Sequence, residues 1–183
     1  EIKLETTTIN CVNIYAPTGD KHRKKLFFGS LRNKFNNLSN LVVMGDFNHI
    51  EDAARDKVYL DPRANLPHID DVIEYTQFLN NNQLIDTYLQ EYLDEDNDQQ
   101  RKPMRMTNYS RSGRSYSRID RAYHGIDLEG SVHNLLDNEE LSPLESMTTT
   151  GTHKPIAISI TNPDTPIIKQ FKAIWRMNAS LIH

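Results

Sequence analysis

The chain has a single cysteine, Cys11, among its 183 residues, which excludes an intramolecular disulfide and removes any need for an oxidising compartment. It has no apolar run near the ~20 residues of a membrane-spanning helix. The opening EIKLETTTIN has neither the basic start nor the apolar centre of a secretory signal. A soluble protein in a cytosolic or nuclear setting is therefore expected. Basic residues are not in surplus: 21 Lys and Arg against 25 Asp and Glu leave a formal charge of −4 and a pI near 6.0. This excludes a protein that coats nucleic acid through general positive charge, so any DNA contact must be regional. Hydrophobic residues, at 37 %, are on the lean side, but a chain of this length can still bury one core. There is no internal repeat. The chain starts at Glu1 rather than Met, which is compatible with a fragment or a processed product.

What is present alternates between strand and helix signals. TTINCVNIYAP mixes β-branched residues with Tyr15 and ends at turn residues, which predicts a strand. From Lys21 to Leu38, Leu26, Phe27, Leu31, Phe35 and Leu38 recur at helical spacing. A second strand is expected over Leu41 to Met44, then a polar loop over 50–67. Ile69, Val72, Ile73, Thr76 and Leu79 mark a second helix, closed by three consecutive asparagines, and the acidic residues 93–100 read as a solvated loop. Three strand-like runs follow, near Met104 to Tyr109, Ser117 to Tyr123 and Pro155 to Ile160. Strands and helices without a regular βαβ repeat point to an α+β layered domain over residues 1–160. Residues 161–183, with Pro163 and Pro166, read as a linker or the start of a following region.

Three of these runs deliver polar groups at one end: GDFN at 45–48, SRIDR at 117–121 and THKP at 152–155. A lone Asp after a strand is more often a turn or cap residue than a functional one. In order, however, NIYAP (13–17), VVMGDFN (42–48), SRIDR and GTHKP (151–155) resemble the endonuclease/exonuclease/phosphatase superfamily, in particular the apurinic-type endonuclease domain of non-LTR retrotransposons. The similarity covers essentially residues 7–160, and the terminal WRMNASLI resembles the segment that follows this domain in those elements.

That resemblance implies a two-layer β-sandwich flanked by helices, α/β/β/α, lacking its N-terminal strands. It also implies a Mg²⁺-dependent phosphodiesterase that nicks DNA, with Mn²⁺ as an alternative metal. Asp46 would orient or deprotonate the attacking water, and Asn48 would hold that water or a phosphate oxygen. Tyr15 would place its phenol near the scissile phosphate, and His153 would stabilise developing phosphoryl charge. Asp120 would join Asp46 and Asn48 in the metal cluster, and Thr107 would face the substrate.

Two positions depart from that pattern. The family has an Asp immediately before the histidine, expected to orient the imidazole, whereas this chain has Thr152. The family also has an Asn and a metal-binding Glu upstream of the YAP motif. Only fourteen residues precede Tyr15 here, and Glu1 and Glu5 lack that context. These departures keep open a catalytically inactive remnant that binds only DNA or a protein, and a phosphatase of the same superfamily is the alternative enzyme. An exposed sheet edge would favour self-association.

Arg101, Lys102, Arg105, Arg111, Arg114 and Arg118 fall in a stretch without an acidic residue, interleaved with Tyr109 and Tyr116. Such a stretch reads either as a solvated hairpin or as a DNA-binding one, with Arg111, Arg114 and Arg118 as substrate contacts and the tyrosines available to stack on bases.

Overall fold

The computed structural model describes residues 1–3, 7–60, 72–92, 106–110, 114–134, 153–154, 156–161 and 171–175. In chain order these form β1 (Ile2–Lys3), β2 (Thr8–Tyr15), α1 (Lys21–Leu31), β3 (Leu41–Asp46), α2 (Ala53–Asp56), β4 (Lys57–Tyr59), α3 (Ile73–Asn81), β5 (Leu84–Asp86) and α4 (Thr87–Tyr92). There follow β6 (Asn108–Ser110), β7 (Ser115–Ser117), β8 (Asp120–Gly125), β9 (Val132–Asn134), β10 (Ile156–Ile160) and β11 (Phe171–Trp175).

β3 is buried at every position, because it lies between two partners and under two layers. It runs parallel to β2 and antiparallel to β8, at the centre of a five-stranded sheet of order β1-β2-β3-β8-β5. Side chains alternate across a strand. Leu41 and Val43 therefore face α1 and α3, whose Phe28, Tyr75 and Phe78 are almost wholly buried. Phe28 meets Tyr75 edge-on at 5.0 Å. Val42 and Met44 face the other way, onto Ile156, Ile158 and Ile160 of β10. β10 is the middle strand of a second, antiparallel sheet of order β11-β10-β9. The described residues thus supply an α/β/β stack, an α+β sandwich as expected. Complete burial of one large apolar side chain stabilises by about 1.5–3 kcal/mol, so both faces of β3 contribute substantially to the fold.

Several expectations need correction. Residues 50–67 were expected as loop, yet α2 and β4 form within them, while 61–71 lie outside the described residues. The first helix ends at Leu31 rather than near Leu38. Asn82, just past α3, is the physical reason: its Nδ2 donates to the Arg32 carbonyl at 3.0 Å and its Oδ1 accepts from the Phe35 amide at 3.2 Å, taking backbone groups that a longer helix would use. Within residues 161–183, expected as a linker or the start of a following region, Phe171–Trp175 forms β11, paired along its whole length with β10. A third small sheet, β4-β7-β6, contains the hairpin expected from the basic stretch.

On β2, Ile9 packs into the sandwich, but Cys11, Asn13 and Tyr15, which share its face, are exposed. Among the described residues no helix is long and apolar enough to cross a membrane.

Candidate active site

Strand register builds the site. Parallel pairing sets Tyr15 beside Asp46, and antiparallel pairing sets Asp46 opposite Asp120, so the three residues form one rung across β2, β3 and β8. Gly45 permits the close approach of β2 to β3. Its φ is +144°, and a Cβ there would lie 1.9 Å from the Ile14 carbonyl oxygen. Beyond the rung the chain turns sharply at Asn48, which has φ of 45°, a conformation asparagine tolerates. The Asn48 amide donates to Asp46 Oδ1 at 2.8 Å, and its Nδ2 donates to the Ala16 carbonyl at 2.8 Å, tying the ends of β2 and β3 together. Phe47 is wholly buried on the helical side against Tyr123 and Tyr75, so Asp46 and Asn48 are fixed from behind.

Asp120 is fixed by Thr107. That hydroxyl accepts from the amides of Asp120 at 2.9 Å and Ile119 at 3.2 Å. Thr107 was expected to face substrate; it is wholly buried and acts as a backbone pin. Next to it, the Lys154 amide donates to the Thr107 carbonyl at 2.7 Å and Asn108 forms a β-bridge to His153. This places the imidazole over the rung, with Nδ1 at 3.0 and 3.2 Å from the two Asp120 oxygens. The carboxylate that meets His153 therefore comes from β8. Residue 152 itself lies outside the described residues. The other ring nitrogen, Nε2, stands 2.9 Å from Asn108 Nδ2.

Burial dominates the electrostatics. Asp46 and Asp120 are 2 % and 1 % exposed. Burial first, and the neighbouring Asp120 charge second, raise the Asp46 carboxyl to about 6, with the Asn48 amide and His153 opposing. Asp120 is also raised by burial, against the stabilising hydrogen bond from His153. Burial alone would lower His153, but the hydrogen bond and charge of Asp120, with Asp46 adding, raise it overall. One ligand atom from each of Asp46, Asp120 and His153 can be chosen so that all lie within 4.8 Å of one another, the separation needed to share one metal ion.

The donor chemistry fits a hard divalent cation. Two buried carboxylates held side by side repel, and Asp120 already has the imidazole as its partner, so Asp46 is the group a cation would relieve most. With Nδ2 committed to Ala16, Asn48 retains Oδ1 as a further oxygen donor.

Arg118 was expected to contact substrate, but it is 1 % exposed. Its Nε donates to Asp56 at 2.9 Å and its Nη1 to Asp86 at 2.8 Å. Arg121, equally buried, donates to Asp56 at 2.9 Å and Glu51 at 3.1 Å. The two guanidinium groups flank Asp120 in sequence and anchor β8 to α2 and β5. Burial alone would raise Asp56; Arg121, Arg118 and Arg55 overcome this and hold it well below the usual carboxylate range. Sequence reasoning missed Asp56, Asp86 and Asn108, because Asp56 lay in a stretch read as loop and the other two carried no motif.

Of the remaining expected contacts, Tyr15 is 53 % exposed at the end of the rung. Arg114 is exposed in the β6–β7 turn at φ of 42°, and Arg111 lies outside the described residues. Tyr109 and Tyr116 stack at 4.9 Å across the same hairpin.

The chain matches no family profile and no curated protein. In fold it is similar to the 3′-5′ exonuclease NExo from Neisseria meningitidis, with a TM-score of 0.54 and 17 % identity over 83 % of this chain and 61 % of that protein. It is likewise similar to the 3′ phosphatase NExo from Neisseria bound to product DNA hairpin, with a TM-score of 0.55 and 17 % identity over 84 % of this chain and 62 % of that protein. This chain therefore spans about three fifths of the length of these proteins. It shares the exonuclease/endonuclease/phosphatase-like fold with them.

Proposed function

We propose that this chain forms the catalytic face of a phosphodiesterase that nicks DNA, of the retrotransposon-endonuclease type, using Mg²⁺ with Mn²⁺ as a substitute. The observation that carries this reading is the buried Asp46–Asp120 pair with His153 forked onto Asp120. Asp46 and Asp120, with Asn48 Oδ1, would hold the cation. Once bound, such an ion lowers the pKa of a coordinated water and offsets phosphoryl charge.

The side chains supply the rest. Asp46, whose carboxyl is raised to about 6 by burial and the Asp120 charge before any cation binds, would orient the attacking water. The imidazole, kept protonated more readily by Asp120, offers positive charge to a phosphoryl oxygen. The exposed Tyr15 hydroxyl stands on the same rung as a donor to the phosphate. Arg114 and the stacked Tyr109 and Tyr116 supply a phosphate contact and an aromatic surface for the flanking DNA. A nuclear location follows from action on DNA.

A second reading, DNA binding without turnover, draws on the donor set. Among the described residues, the only clustered metal-ligating group contains two carboxylates and no glutamate. Parallel measurements on one end-labelled duplex separate the readings: fluorescence anisotropy for binding, and gel analysis for Mg²⁺-dependent cleavage. An enzyme loses cleavage in Asp46→Ala and retains binding, whereas a binding module shows binding alone in both proteins. Unchanged affinity after neutralising Arg111 and Arg114 would remove the hairpin from the DNA interface. A duplex bearing a 3′-phosphate, converted faster than an internal bond is cut, would move the assignment to a phosphatase.

A further inference from the structure

Both nitrogens of His153 are occupied. Nδ1 faces Asp120 from inside the protein, and Nε2, the nitrogen directed away from the carboxylate, is met by the Asn108 side-chain amide at 2.9 Å. This contact is fixed by backbone geometry. Asn108 pairs with Ser117 on one side and forms the bridge to His153 on the other, while the Lys154 amide locks the register onto Thr107. Cross-strand neighbours of this kind hold their side chains within reach. Both residues are half-buried, so an incoming ligand can reach them.

We propose that Asn108 is a positioning residue that caps Nε2 of His153 in the ligand-free protein, and that an anionic phosphate oxygen must displace this amide to engage the imidazole. The inference rests on the reading of His153 as the phosphate-binding group. An amide suits the role because its NH₂ donates to a bare Nε2 and, rotated, its carbonyl accepts from Nε2–H, so the ring is held in either form. It is also a neutral partner. A charge-assisted hydrogen bond from Nε2–H of the protonated ring to phosphate is stronger than an amide–imidazole bond, so substrate wins the exchange but at reduced net affinity. The cap would keep the ring aligned with Asp120 between encounters and would weaken binding of ligands that offer only one anionic oxygen.

The test uses the full chain, ¹⁵N-labelled and free of divalent cations, with inorganic phosphate as the probe. Histidine ring nitrogens are observed by NMR in wild type and Asn108→Ala. The expected result is a displaced Nε2 resonance for His153 in the variant before any phosphate is added. Phosphate should then bind the variant roughly three- to tenfold more tightly, about the factor carried by one neutral hydrogen bond. Asn108→Ser keeps the strand pairing but shortens the side chain, and it gives the same reading if the alanine variant does not fold. An unmoved Nε2 resonance overturns the cap. Equal or weaker phosphate binding by the variant overturns the displacement, and in the weaker case makes Asn108 a phosphate ligand. Phosphate that perturbs His153 in neither protein, while Nε2 differs between them, overturns the displacement together with the phosphate-binding reading of His153 and leaves only the amide–imidazole contact.

Discussion

Asp46 of β3 and Asp120 of β8 are register partners in an antiparallel pair, so two nearly inaccessible carboxylates occupy one rung of the sheet. Carboxylates placed this way oppose each other's ionisation, which costs stability unless a cation or a proton intervenes. Here His153 serves Asp120 at 3.0 Å and the strain falls on Asp46.

The pH dependence of stability follows from that placement. Burial and the Asp120 charge raise the folded Asp46 carboxyl to about 6, while in the unfolded chain it lies in the ordinary carboxylate range, so the unfolded chain releases its proton first as pH rises. The stability tied to protonated Asp46 is fully present below about pH 4 and is lost as pH rises through 6. His153, also raised, loses its contribution in the same direction, as pH rises through its folded value. In metal-free buffer, Asp46→Asn is expected to match wild type below about pH 4 and to be more stable by ~1–2 kcal/mol above pH 6. Thermal unfolding across pH measures the difference. Mg²⁺ should raise the wild-type midpoint above pH 6 and leave that of the variant nearly unchanged.

Asp56 joins Arg118 and Arg121 beneath the site, with both guanidinium groups almost fully buried. Removal of one partner from a buried ion pair leaves uncompensated charge and typically costs about 3–5 kcal/mol. Asp56→Ala is therefore expected to shift urea unfolding by that amount or to prevent folding. A shift below about 1 kcal/mol would mean that Asp86 and Glu51 suffice to satisfy both arginines.

Gly45 and Gly19 both have positive φ, yet they should respond differently to alanine. At Gly19 nothing lies within 4 Å of a new Cβ, and the cost should be about 1 kcal/mol of backbone strain. At Gly45 the Cβ would collide with the Ile14 backbone, in the strand pair that carries Tyr15 and Asp46. Gly45→Ala is expected to separate β2 from β3 and to lower the soluble, folded yield, as judged by circular dichroism beside Gly19→Ala.

Strands β2, β3 and β10 were legible because β-branched runs and strict alternation are strand-specific signals. The phase of the first helix was not. Leu26 belongs to the apolar repeat but is 61 % exposed, whereas Phe28, outside that repeat, is fully buried, since aromatic packing against α3 selects the face. β5, α4 and β9 are too short for a periodic signal, and β11 exists through pairing with β10. Asp46, Asn48, Asp120 and His153, which the motifs single out, lie together at one end of β3 and β8. Thr107 and Arg118 are buried, since residue type states that a group is polar but not which way its backbone directs it. The basic stretch illustrates the same limit: Arg114 is exposed and Arg118 is enclosed by acids four residues later.

Relaxation of supercoiled plasmid by the purified chain with Mg²⁺, beside Asp46→Ala and an EDTA control, tests the proposed chemistry most directly. Metal-dependent nicking by wild type that disappears in Asp46→Ala is the expected result. Nicking that persists in the variant, or none from a folded wild-type chain that binds the plasmid, would contradict the assignment of Asp46, Asp120 and His153 as a phosphodiester-cleaving site.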